Sequence, residues 1–344
     1  MSPDALRNAI RRLAAHESLT ADETAAAFDV VMRGEATPAQ TAAVLMALRV
    51  KGETTEEIAG GARALRHAML TLRAADPESL VDTCGTGGGR VPTFNISTAA
   101  ALLAAGAGVR VAKHGNRSFT TSCGSADVLE ALGVRIEMSV DEMAGALEAA
   151  GIVFMFAPLM HPAMRHVGPV RRELGVPTVM NVLGPLANPA GAGRQVVGVA
   201  EPGRLPLLAG ALASLGSRHA MVVHGQPGMD EISPMGETLV MEVRDGAIHE
   251  WIIEPKSFGL PLATAAELAG GTPADDATIV EAVLRGERTD GARSAVLLNA
   301  AAALYVAGRA ASFERGMTMA ADALARGAGV EALERLRQAT AARG

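Results

Sequence analysis

Aromatic residues are scarce. Of 344 residues, seven are Phe, one is Trp (Trp251) and one is Tyr (Tyr305), 3 % in all. A groove that stacks successive bases of a single-stranded nucleic acid needs more rings than this. Cysteine is scarcer still, with only Cys84 and Cys123, each beside a glycine-rich turn. Two thiols make no disulfide scaffold for a chain of this length, although their positions do not forbid a bridge, and they suit a reducing cytoplasm. Net positive charge is missing as well: 31 Lys and Arg stand against 37 Asp and Glu, a formal charge of −6. That balance argues against a general nucleic-acid binder and leaves the local basic residues to serve a local anion. The longest apolar stretch, Ala99 to Val109, is rich in alanine and glycine and too short to span a bilayer. The opening Met1-Ser2-Pro3-Asp4 has neither the basic start nor the apolar segment of a signal peptide. The expectation is a soluble protein with no membrane partner.

What is present is apolar: 49 % hydrophobic residues can fill the core of one large domain and a smaller one. The first seventy residues read as four short helices. Ser2-Pro3 places a cap before a proline, and Thr20-x-x-Glu23, Thr37-Pro38-x-Gln40 and Thr54-x-x-Glu57 are capping boxes. Leu6, Ile10 and Leu13, then Val44, Leu45 and Leu48, recur at helical spacing. From about Leu80 short β-branched runs alternate with helical segments: Val109 to Ala112, Ile152 to Phe156, Val196 to Val199 and His219 to His224. Such alternation predicts an α/β layer structure with a mostly parallel central sheet. Glu237 to Val243 and Ala247 to Ile253 flank Arg244-Asp245-Gly246 and read as a hairpin. From Asp275 onward the pattern is helical again. Six prolines between Pro158 and Pro189 forbid a long helix there, so this segment is expected to cross between the two parts. The expected division is a helical domain at 1–73, joined by part of 160–187, and an α/β domain at 74–344.

The chemistry concentrates in Asp82-Thr83-Cys84-Gly85-Thr86-Gly87-Gly88-Gly89, followed by Thr93-Phe94-Asn95-Ile96-Ser97-Thr98 and by Lys113-His114-Gly115-Asn116-Arg117-Ser118. Four glycines in five positions let backbone N–H groups approach an anion, and Asn95, Ser97 and Thr98 add donors where an alanine-rich helix begins. Lys113 and Arg117 bring positive charge. The loop is neither a Walker loop, lacking Gly-Lys-Ser/Thr, nor GxGxxG, so the glycines alone would equally suit an ordinary turn.

Four blocks together resemble the anthranilate phosphoribosyltransferases: Gly85-Thr86-Gly87-Gly88 with Thr93 to Thr98, Ala112 to Ser118, Gly124-Ser125-Ala126-Asp127-Val128-Leu129-Glu130, and Asp230-Glu231-Ile232-Ser233. A fifth, His161-Pro162-Ala163-Met164-Arg165-His166-Val167-Gly168-Pro169-Val170-Arg171-Arg172, is similar to that family too. The resemblance implies the nucleoside phosphorylase/phosphoribosyltransferase class of fold. It also implies transfer of a phosphoribosyl group from phosphoribosyl pyrophosphate to anthranilate, in tryptophan biosynthesis, with Mg2+ as cofactor and a homodimer joined through the helical head. It places the sugar diphosphate against Gly85, Gly88, Gly89, Thr93, Asn95, Ile96, Ser97 and Thr98. The same contact surface continues through Lys113, His114, Gly115, Asn116, Arg117, Ser118, Phe119, Thr120 and Thr121 to Ser125. Anthranilate falls to Gly85, Asn116 and Arg171, with Arg172 competing for the last role, and magnesium to Ser97, Asp230 and Glu231. A guanidinium suits a carboxylate through its planar fork, and adjacent carboxylates suit a hard cation. His114, His161 and His166 are read as hydrogen-bonding residues, with no general base assigned.

Two departures stand out. The family usually carries Asp-Gly after Gly-Thr-Gly-Gly, where this chain has Gly89-Arg90-Val91-Pro92, which removes a carboxylate beside the expected metal. Thr121-Ser122-Cys123 replaces a more usual serine-lysine-serine segment. Two rivals share the resemblance: a pyrimidine nucleoside phosphorylase-like enzyme, and a non-catalytic relative that binds nucleic acid. Asp82-Thr83-Cys84, standing where the phosphorylases carry lysine-histidine-serine, opposes the first, and the net charge with the Asp230-Glu231 pair opposes the second.

Overall fold

A computed structural model gives residues 4–118 and 123–341; the sequence readings at Ser2, Pro3, Phe119, Thr120, Thr121 and Ser122 lie outside the described residues. Four helices open the chain, α1 (Asp4–Ala14), α2 (Ala21–Met32), α3 (Pro38–Lys51) and α4 (Thr55–His67). Thr20, Thr37 and Thr54 each accept the N–H three residues on, and Glu23, Gln40 and Glu57 return the bond to the cap. Reciprocal caps satisfy donors that a helix start would otherwise leave bare. Glu57 does more: fully buried, it pairs with Lys51 at 2.9 Å and accepts the Leu19 N–H at 3.0 Å, tying α4 to the turn before α2.

Seven strands follow: β1 (Val81–Gly85), β2 (Val111–Gly115), β3 (Ile152–Phe156), β4 (Arg194–Gly198), β5 (His219–Gly225), β6 (Thr238–Arg244) and β7 (Ala247–Ile253). They form one sheet in the order β3-β2-β1-β4-β5-β6-β7, parallel through β5 and antiparallel from β5 to β7. The hairpin turns on Asp245 and Gly246, both at positive φ (48° and 83°), the two-residue turn that matches strand twist. The structure adds β1, whose Asp82-Thr83-Cys84 run is too polar to read as a strand. It is nonetheless central, because Asp82, fully buried, accepts from Asn188 Nδ2 at 2.8 Å and from the His114 N–H at 3.1 Å.

Side chains alternate between two faces. Val111, Ile152, Phe154, Val196, Met221 and Val223 enter the core built on α5 (Ile96–Gly106) and the C-terminal helices. On the other face Val197, Ala220, Val222 and Val243 share a core with the helical head, the helix Leu205–Ser214 and residues between Ala163 and Ala187. The proline-rich stretch is a chain of short pieces, Ala157–Met160, Pro162–His166, Gly168–Leu174, Met180–Leu183 and Gly184–Leu186. Among the described residues no helix is long and apolar enough to cross a membrane.

From β1 the chain steps to β2 and β3 on one side, then returns to β4 on the other. In a parallel α/β sheet such a reversal opens a crevice at the carboxyl ends of the two strands where order changes, here β1 and β4.

Candidate active site

The glycine-rich loop lies in that crevice because β1 runs into it at Gly85. It is held against the segment after β5, where the Gly87 N–H donates to Asp230 Oδ2 at 2.9 Å and the Arg90 N–H to Gly228 O at 2.8 Å, and against the end of β4, where the Thr86 N–H donates to Gly198 O at 2.9 Å. Gly87 and Gly88 have φ of 71° and 82°, where a side chain is strained. Gly85, Gly89 and Gly198 are needed for another reason, close approach. A Cβ on Gly85 or Gly89 would stand 2.7 Å from a carboxylate oxygen of Asp230, and one on Gly198 would stand 1.7 Å from its main-chain oxygen. The glycine found where the family usually has Asp thus leaves room for Asp230.

Glu231 and Lys113 lie near enough to act on each other electrostatically. Lys113, on β2 and 3 % exposed, donates to the main-chain oxygen of Thr83 and to Ser97 Oγ at 3.2 Å. Burial pulls its ammonium below the ordinary lysine range, with Asp82 opposing. Burial likewise raises the Asp230 carboxyl. Glu231 is pushed up to about 8, by burial first and then by Asp230, against the pull of Lys113. Two adjacent carboxyls that are costly as anions until a cation arrives, with the Ser97 hydroxyl nearby, fit a hard divalent ion. Among the described residues no group of three His, Cys, Asp or Glu gathers. Water and substrate phosphate would complete the shell, as magnesium prefers.

Asn95 precedes α5 but makes no cap bond of its own. Its Nδ2 donates instead to Asp276 Oδ2 at 2.8 Å and to Cys123 Sγ at 3.3 Å, so the amide is fixed from outside the loop. Asp276 is 1 % exposed and also accepts the Gly271 N–H. Ile96 and Thr98 are buried, their N–H groups donating to the Phe94 and Asn95 oxygens at 2.7 and 3.2 Å, while Thr93 and Ser97 are half-buried.

On β2, His114 is buried and its Nε2 lies 3.1 Å from His161 Nε2. Burial first, then the neighbouring His161 ring, pull His114 down to about 3, against the bond it donates to the Gly184 oxygen. Burial holds His161 at about 4, and its Nδ1 has no partner among the described residues. Both rings are therefore neutral at pH 7. Gly115 abuts Ser125, whose Oγ donates to the Asn116 oxygen at 3.3 Å. Arg117 spends its charge on Asp127 and Glu130, and Asp127 also accepts the Ser118 N–H. Arg171 is half-buried, Arg172 exposed; Arg171 touches Asn181 Oδ1 at a long 3.5 Å and has no carboxylate partner among the described residues.

The sequence reading quotes Asp82 without giving it a role, and passes over Asn188, Asp276 and Asn299. Asp276 looks like an ordinary acid in a first helical turn. Asn299 carried a usable signal, since Asn inside an alanine-rich helix is unfavourable unless its amide is engaged.

An N-terminal bundle packed on an α/β sheet with a phosphate-type loop at its switch point defines a glycosyltransferase: the family models "Glycosyl transferase family, a/b domain" and "Glycosyl transferase family, helical bundle domain" match residues 77–330 and 7–69. Anthranilate phosphoribosyltransferase from Rubrobacter xylanophilus is 52 % identical over 96 % of each chain, and that of Herpetosiphon aurantiacus 50 % over 97 % of this chain and 99 % of the other. The chain belongs to the anthranilate phosphoribosyltransferase family. The Thermus thermophilus enzyme superposes with a TM-score of 0.92 at 42 % identity, covering 97 % of this chain and 99 % of that one. The Saccharomyces cerevisiae enzyme in complex with phosphoribosyl pyrophosphate and Mg gives 0.88 at 27 % identity, over 98 % of both.

Proposed function

We infer that this chain transfers the phosphoribosyl group of phosphoribosyl pyrophosphate to the amine of anthranilate, releasing pyrophosphate, with Mg2+ and as a step in tryptophan formation. The observation that carries the reading is the half-buried Asp230–Glu231 turn, bonded to the glycine loop, with Lys113 and Ser97 near Glu231. In this reading Gly85, Gly88, Gly89, Thr93, Asn95 and Ser97, the main chain of Ile96 and Thr98, and the segment from Lys113 to Ser118 with Ser125 surround the sugar diphosphate. Asp230, Glu231 and Ser97 hold the metal, which when bound neutralises charge on the departing diphosphate.

The chain's own residues do the rest. An aromatic amine is neutral at pH 7, so its lone pair needs no base to expose it, and the neutral His114 and His161 fit that. The carbon–oxygen bond to pyrophosphate breaks as the amine nitrogen bonds to the sugar carbon; the leaving oxygen keeps the electron pair, its charge met by Lys113, and the nitrogen then gives up its proton to the departing diphosphate or to water. Arg171, with no carboxylate partner among the described residues, offers a guanidinium to the carboxylate of anthranilate, and Asn116, directly after β2, is the second contact in this reading. Holding the amine against the sugar supplies proximity.

The reading includes a helical domain formed by 1–73 with part of 160–187, supported by the core they share, and an α/β domain at 74–344. It includes a homodimer through the head, where Val50 is 70 % exposed, and a cytoplasmic setting. Loss of anthranilate fluorescence with phosphoribosyl pyrophosphate and Mg2+ is the expected result. Phosphorolysis of a pyrimidine nucleoside, or tight salt-sensitive DNA binding, without that loss would replace the reading.

A further inference from the structure

We propose that Asn299 is a positioning residue for the acidic turn, a side-chain amide that fixes the direction of Glu231 through the main chain of Ile232; this rests on the reading of Asp230 and Glu231 as metal ligands. Asn299 lies in the middle of the helix Gly291–Val306, 3 % exposed. Its Oδ1 accepts the Ile232 N–H at 3.0 Å, and its Nδ2 donates to the Ile232 oxygen at 2.9 Å and to the Ala295 oxygen at 2.9 Å. Both main-chain groups of one residue are thus met by one amide, as a neighbouring strand would meet them.

Ile232 follows Glu231 directly, and Asn299 shares with Glu231, Ser97, Thr83 and Cys84 the walls of a cavity of about 10 Å³. The turn has no room to shift the other way. A Cβ on Gly225 would stand 2.5 Å from the Glu231 oxygen, and one on Gly198 still closer to the Asp230 oxygen. Contact from the glycine side limits where the turn sits, but contact is not directional. Directional restraint comes from Asn299. Without it the Ile232 N–H and C=O would be buried and unmatched, and the peptide joining 231 to 232 would rotate toward other partners, carrying the Glu231 carboxyl with it. Groups that orient metal ligands typically matter by about 10- to 100-fold in metal affinity.

The probe is Mn2+ with pyrophosphate, titrated into the full chain and followed by electron paramagnetic resonance. Asn299→Ala and the milder Asn299→Ser are expected to raise the Mn2+ dissociation constant by about 10-fold or more, with the KM for anthranilate within about twofold of wild type. A folded variant with unchanged Mn2+ affinity overturns the proposal, even if its melting temperature falls. The double variant Asp230→Asn, Glu231→Gln separates the two ideas: if it too leaves Mn2+ binding unchanged, the acidic pair has been misread as the metal site. If it abolishes binding while Asn299→Ala does not, only the role of Asn299 is lost. In the wild-type protein the Ile232 N–H should exchange with solvent as slowly as core amides, and fast exchange would overturn the proposal without any variant.

Discussion

The two ends of the crevice are built differently. At the end proposed for the diphosphate, loop N–H groups, the Asp230 carboxyl and a lysine are held by bonds of 2.8 to 3.2 Å, among them Gly87 to Asp230, Arg90 to Gly228 and Lys113 to Ser97, and by glycines that approach Asp230 closely. At the end proposed for anthranilate, Arg171 makes one 3.5 Å contact and belongs to a seven-residue helix between short, proline-broken pieces. Charge develops at the first end during bond breaking, where donors placed in advance cost no rearrangement. The second end needs only to select and hold a neutral amine, which looser geometry can do. The difference teaches which residues should govern turnover and which should govern substrate affinity.

Gly198→Ala is the harshest way to break the comparison. The new methyl carbon would stand 1.7 Å from the Asp230 oxygen, a main-chain atom that cannot turn aside. The turn must move by about 1 Å, and displacement of that size can cost about 100-fold in rate. Steady-state assays should show kcat reduced by about that factor, with the KM for anthranilate little changed. A variant with wild-type kcat would mean that the diphosphate end is more tolerant than its packing implies.

How much of this was legible in the residue order follows from what each signal depends on. Capping boxes and the Asp245-Gly246 turn are local, and Thr20, Thr37, Thr54 and the hairpin stand in the structure where their neighbours predict. β1 was hidden because a strand whose polar residues are satisfied by Asn188 and His114, both distant in sequence, lacks the apolar alternation that marks strands. The loop glycines were visible as a group, but their reasons were not. Gly87 and Gly88 serve backbone conformation, whereas Gly85, Gly89 and Gly198 serve the approach of a segment more than 30 residues beyond the last of them. The partners of Asn95, Glu231 and Arg117 depend on the sheet order. Arg117 looked like a cation for the substrate, yet Asp127 and Glu130, one helix later, take up its charge.

Arg171→Ala sharpens the comparison from the other side. A charge-assisted hydrogen bond is worth about 1.5–3 kcal/mol, which corresponds to roughly a 10- to 100-fold rise in the KM for anthranilate. The KM for phosphoribosyl pyrophosphate and the Mg2+ requirement should stay near wild type. Arg172→Ala, removing an exposed neighbour, should leave both constants alone. Equal increases in both Michaelis constants after Arg171→Ala would show that the two ends are not separable.

The His114–His161 contact joins the ends, since one ring stands on β2 and the other opens the proline-broken stretch. Both rings are held neutral by burial, at about 3 and about 4, while an unfolded chain takes up protons at each near about 6.5. The unfolded state therefore binds more protons below that value, and stability falls as pH drops from about 6.5 toward 4, by about 1.4 kcal/mol per unit for each ring. Nothing from this source is lost above pH 7. His161→Gln removes one of the two contributions, so between pH 6.5 and 5 its unfolding free energy should decline less than that of wild type, by about 2 kcal/mol. Denaturant melts at both pH values measure the difference. Parallel curves would mean that the two rings are hydrated in solution and that the junction between the ends is open to water.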